Sequence, residues 1–139
     1  MFTVTATSAA APDVVWREVT DFARHAEGVP LTSATSDVGG PGVGRRFTVR
    51  TALGPVGFDD PMVVTVWDPP FRVRVEKTGR VLSGWADICL TRTGSGTLVT
   101  WQEEVVPANR AVARLTRPLF DRVGRLVFGR ALRRMLAAT

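Results

Sequence analysis

Leu119, Phe120, Val123, Leu126, Val127, Ala131 and Met135 recur at helical spacing near the end of the chain, with Arg122, Arg125 and Arg133 on the opposite side. An amphipathic helix of about twenty residues must bury its apolar stripe against another layer. The preceding segments alternate with a period of two rather than 3.6, so that layer is a sheet. A largely antiparallel sheet with one solvated face needs a cover for the other, and this helix is the candidate.

The strands can be read in order. FTVTATS, residues 2–8, alternates and is β-branched. Pro12 suits the first turn of a helix, and Val15, Val19 and Phe22 continue it at helical spacing. A second helical turn runs from Ala23 to Glu27 before Gly28 and Pro30. Residues 32–38 form a weak strand closed by GGPGVG, and Arg46–Ala52 places Phe47, Val49 and Thr51 on one side. Met62–Trp67 ends at Asp68-Pro69-Pro70, which no central strand can carry. FRVRVEK places Phe71, Val73 and Val75 on one face and Arg72, Arg74 and Glu76 on the other. Residues 81–91, the RTGSG loop and TLVTWQEEVV give a final hairpin. Asn109–Thr116 begins the helical tail, and Pro118 either kinks it or starts the main helix afresh.

At 139 residues the chain fits one domain, residues 1–139, without a linker or repeat. One cysteine, Cys89, excludes an internal disulfide and a cysteine metal cluster. The N-terminus does not read as a signal peptide, and no apolar run approaches the ~20 residues that span a bilayer. A soluble cytoplasmic protein, monomer or homodimer, is the expectation, with no stable membrane insertion. Residues 108–139 hold eight arginines and one acid, +7, while the rest holds ten basic and twelve acidic side chains, −2. The basic balance therefore belongs to the tail. Without aromatic interleaving or a nucleic-acid motif, it reads as a solvated face, and no nucleic acid is expected as a partner.

APDVVWREVTDF near the start, VWDPP closing a central strand and GSGTLVTWQEEV in the last strand, in this order of elements, resemble the Bet v 1-like, START-related (SRPBCC) superfamily. Within it the chain is most similar to bacterial polyketide cyclase/dehydrase-type proteins. The resemblance implies an α+β helix-grip fold. A curved antiparallel sheet of about seven strands would wrap around the long C-terminal helix, with a short helix or helix pair after the first strand. It also implies a cavity between sheet and helix. Members bind lipids, sterols, aromatic polyketides or hormones, and only some are enzymes.

The first expectation is thus a small hydrophobic ligand held between Phe47, Val49, Val73, Val75, Val99 and Trp101 of the sheet and Phe120, Val123 and Val127 of the helix. Large side chains such as Trp67, Trp85, Trp101 and Phe120 could instead fill the hollow. An alternative is an aromatase/cyclase or dehydratase using Asp60 or Glu103 as proton shuttle, provided that either lies deep in the cavity. A second alternative is anionic-surface binding through the arginine-rich helix. Asp59 and Asp60 point to opposite faces of a strand, so they read as a strand edge or bulge with Pro61 at its end; Asp60 shares parity with Phe58, Met62 and Val64. Glu103 shares a face with Trp101 and Val105, and a place at the cavity mouth or in an ion pair is the simpler reading. His25, the sole histidine, is expected to be exposed near a helix end, with ligand contact as the alternative. Asp68 reads as a turn residue and Cys89 as a small buried apolar one. GGPGVG lacks the lysine of a phosphate-binding loop. No metal-ligand spacing and no cofactor motif appear. The lack of any tyrosine argues against cyclase chemistry on phenolic substrates.

Overall fold

The computed structural model describes residues 1–139 apart from Gly28 and Ala138, with the backbone alone at Glu27 and over 35–38. The described residues form seven strands and three helices: β1 (Phe2–Ser8), α1 (Pro12–Val19), α2 (Phe22–Glu27), β2 (Thr32–Val38), β3 (Arg46–Leu53), β4 (Val56–Asp68), β5 (Arg72–Lys77), β6 (Leu82–Thr93), β7 (Gly96–Pro107) and α3 (Arg110–Ala137). All strands join one antiparallel sheet in the order β1-β7-β6-β5-β4-β3-β2. From β2 to β7 every connection is a hairpin, and only β1 crosses, to pair with β7. The sheet curls around α3, as a helix-grip fold requires.

β1 and β2 run as the sequence suggested, whereas β4 is far longer than Met62–Trp67. Thr65 is the reason β4 reads poorly: the register slips between Val64↔Val75 and Val66↔Arg74, leaving Thr65 as the extra residue of a bulge. Inward parity passes from Met62 and Val64 to Trp67, whose ring meets Trp16 of α1 edge-on at 5.0 Å. Pro61 lies well inside β4, not at its end. It is tolerated because β5 stops opposite Met62, at Lys77. The proline's missing donor faces past that end, where its carbonyl accepts Thr78 N–H at 2.9 Å.

The core lies beneath α1 and the C-terminal half of α3. Val15 and Val19 of α1, Val99 of β7, Val73 of β5 and Leu132 of α3 are almost wholly shielded. Phe71, expected on the same face as Val73, precedes β5 and is exposed. Cys89 lies with Asp87 on the outer side of β6, opposite in parity to Ile88 and Leu90. It is only half-buried, and burial pushes its thiol up. On that outer side Arg72 and Arg74 both donate to Asp87. The Arg72 bond holds the Asp87 carboxyl below its usual range, against the burial that would raise it.

α3 is one helix through Pro118, with Asn109 as its cap; the Asn109 Oδ1 accepts from the N–H groups of Ala111 and Val112 at 3.0 and 3.2 Å. Its apolar stripe is only partly used. Ala131, Leu132, Met135 and Leu136 are buried, whereas Leu119 and Leu126 are 62% and 64% exposed. All eight arginines of α3 are exposed. Close contact with β1 occurs at Gly124, where a Cβ would come within 2.5 Å of the Phe2 ring. On either side of Gly124, from Phe120 to Phe128, α3 borders the site.

Candidate ligand cavity

Between the inner face of the sheet, α2 and the middle of α3 lies a cavity of about 430 Å³, within the size range of small-molecule sites. The register explains its wall. Thr51↔Phe58, Val49↔Asp60 and Phe47↔Met62 place six inward side chains of β3 and β4 side by side. Lys77 pairs with Met62, and Val75 pairs across to Ala86, which pairs in turn with Glu103. Between Leu82 and Ile88, β6 presents only a methyl group to this space. Ala86 lines the cavity, and Gly84 beside it has φ +125°, where a Cβ would strike the Glu104 carbonyl. Ala86 leaves the floor open. The large ones lie elsewhere: Trp67 is engaged with Trp16, and Trp85 lies on the outer face under the Arg74 guanidinium at 4.4 Å. Filling by these two tryptophans does not occur.

Of the residues expected to line a pocket, Phe47, Val49, Asp60, Val75, Trp101, Glu103, Phe120, Val123 and Val127 do so. Val73 and Val99 do not. They have the right parity but lie nearer the α1 end, where helix packing closes the space completely. Phe120 and Val123 are also partly exposed, which marks the opening along α3.

Chief among the polar side chains in this apolar wall are His25, Asp60, Lys77 and Glu103. Asp59 points outward to an exposed pair with Arg50, whereas Asp60, 6% exposed, points inward and pairs with the equally buried Lys77. Asp60 Oδ2 takes that bond, and Oδ1 has no partner among the described residues. Glu103 is not at the mouth, and it has no ion pair at contact distance among the described residues. It is 4% exposed and accepts from Trp101 Nε1 at 3.1 Å. Burial pushes its carboxyl up to about 7; the Lys77 charge and the Trp101 bond oppose the shift and the Asp60 charge adds to it. At neutral pH such a group can give or take a proton, and both carboxylates meet the depth condition stated for acid–base chemistry.

His25 is not an exposed helix-end residue. Its ring lies 5.1 Å from that of Trp101 and 5.8 Å from that of Phe22, and Nε2 is closed off without a partner among the described residues. Burial pushes it down to about 4, against the Asp21 charge and the Glu18 and Val19 carbonyls, which favour the protonated ring. With the ring proton on Nδ1, Nε2 is an acceptor left without a donor among the described residues. Lys77 was missed in the sequence, although it has the parity of Val73 and Val75 at the end of FRVRVEK. A lysine on an apolar face, opposite an aspartate on the next strand's apolar face, was the available signal.

These two shifts oppose each other. Between the ordinary values of 4.5 for the glutamate and 6.5 for the histidine, folded Glu103 keeps a proton that the unfolded chain has released. Its contribution to stability therefore falls as pH rises. The unfolded chain protonates His25 while the fold does not, so the histidine contribution rises with pH. Each slope approaches about 1.4 kcal/mol per pH unit. Relative to wild type, Glu103→Gln is expected to gain stability with rising pH across this window and His25→Gln to lose it. Urea unfolding at several pH values reads the slopes. Profiles parallel to wild type for both variants would refute the two burial-driven shifts.

The family model described as "Polyketide cyclase / dehydrase and lipid transport" matches residues 1–139. No curated protein matches the sequence. Among solved structures, TTHA0849 from Thermus thermophilus superposes with a TM-score of 0.78 at 15% identity, over 99% of this chain and 97% of that one. StfQ, a di-domain ARO/CYC of the steffimycin biosynthetic pathway, gives 0.76 at 14% identity over 98% of this chain and 49% of its own. The AHSA1-like protein from Aeromonas hydrophila gives 0.66 at 18% identity, over 99% and 92%. At these identities the likeness is one of fold.

Proposed function

The chain belongs to the polyketide cyclase / dehydrase and lipid transport family, and from that premise we propose that it binds a small, mainly apolar molecule in the cavity between sheet and α3. The observation that carries this reading is the pairing of a wall dominated by Phe, Val, Met and Trp with a floor left open at Ala86. Each Å² of apolar surface removed from water stabilises a complex by about 25 cal/mol, so affinity follows the area that a guest can hide.

N-phenyl-1-naphthylamine, a neutral apolar fluorophore, is expected to brighten on binding and to quench Trp101, which forms part of the wall. Trp101→Phe identifies the quenched residue among the four tryptophans. Ala86→Phe projects a ring into the cavity and is expected to weaken the probe at least tenfold. Neither a fluorescence change nor a thermal shift with the probe would end this reading.

A further inference from the structure

Native folds rarely leave buried acceptors without a donor, yet two such atoms lie in this cavity wall. Asp60 Oδ1 and His25 Nε2 are both buried without a hydrogen-bond partner among the described residues, and both residues line the cavity. They stand on different elements, β4 and α2, and the rest of the wall is chiefly apolar. The second Asp60 oxygen is committed to Lys77, and the Trp101 indole N–H to Glu103. The Trp101 N–H and one of the three Lys77 N–H donors are thus engaged, while these two acceptors are not.

The wall also has a definite charge character. Asp60 and Glu103 are acids, and Lys77, the base beside them, is paired with Asp60. A carboxylate guest would bring further acceptors and a like charge to this group. A hydrocarbon would desolvate the acceptors and return nothing, and an ether would add another acceptor. A hydroxyl offers the missing donor without a charge of its own. On the binding function proposed above, we infer that the ligand is a neutral amphiphile, an alcohol or phenol on an apolar body, whose O–H donates to Asp60 Oδ1 or His25 Nε2. The cavity therefore selects by donor chemistry as well as by apolar area.

The test compares 1-decanol with its isomer methyl nonyl ether, which has the same atoms and an acceptor but no donor, and with decanoate at mildly alkaline pH. Competition with the naphthylamine probe reads all three. The alcohol is expected to bind at least tenfold more tightly than the ether, because only the alcohol satisfies a buried acceptor, and decanoate is expected to bind most weakly. In His25→Phe, which removes one acceptor and keeps a ring, the alcohol-to-ether ratio is expected to shrink several-fold. Equal affinities for the isomers in wild type, or a preference for ether or decanoate, would overturn the inference while leaving the binding function standing. Failure of all three ligands and of the probe would instead remove the binding function and the inference with it. The wild-type comparison decides the matter even if the variant does not fold.

Discussion

Lys77→Met is expected to lower unfolding free energy by about 3–5 kcal/mol, the cost typical of leaving one charge of a buried pair uncompensated. Lys77 and Asp60 are both more than nine-tenths shielded. The variant removes the only bond to Asp60 Oδ2 found among the described residues, while Oδ1 already has none. The melting temperature should fall by roughly 10 °C or more. A paired replacement, Asp60→Leu with Lys77→Met, should recover most of the loss, because exchanging a whole buried ion pair for apolar side chains is often neutral or better. Urea denaturation of the two variants gives both numbers. A single variant that costs under about 1 kcal/mol would mean that water reaches this pair, contrary to its burial.

Leu132→Ala should be similarly damaging, costing about 2–5 kcal/mol, the range found when a buried leucine is truncated in a close-packed core. Leu132 is 0% exposed where α3 meets the core. Leu119→Ala, on the same helix but 62% exposed, should cost within about 0.5 kcal/mol. The contrast between the two matters more than either value. Equal losses would show that the first turns of α3 are bound to the protein as firmly as the last.

Much of the fold could be read from local pattern. Alternation in FRVRVEK and TLVTWQEEVV, the glycine-rich turn at 39–44 and Pro12 at a helix start each have one dominant local cause. Thr65 does not: a bulge is a relation between two strands, and nothing in MVVTVW announces which residue is extra. The standing of Pro61 likewise depends on where β5 ends. Parity assigned the inward faces correctly, including that of Asp60, but it cannot say how far along a strand the helices press down. For this reason Val73 and Val99 proved to be core, while Val75 and Trp101, two residues away on the same strands, line a hollow. The depth of Glu103 and His25 was hidden for the same reason. Each needed knowledge of which neighbours, Trp101 for one and Phe22 with Trp101 for the other, would close over it.

The smallness of Ala86 has a consequence for how this protein can change. The chamber is deep where one strand carries only a methyl group, at Ala86, so its capacity is set by an inward position of the sheet rather than by a hinge. Enlarging the alanine trims the chamber a few carbon atoms at a time with the frame intact, whereas Gly84 admits no such graded adjustment. The size of molecule accommodated is therefore a one-codon property, separable from the donor–acceptor chemistry on the neighbouring strands.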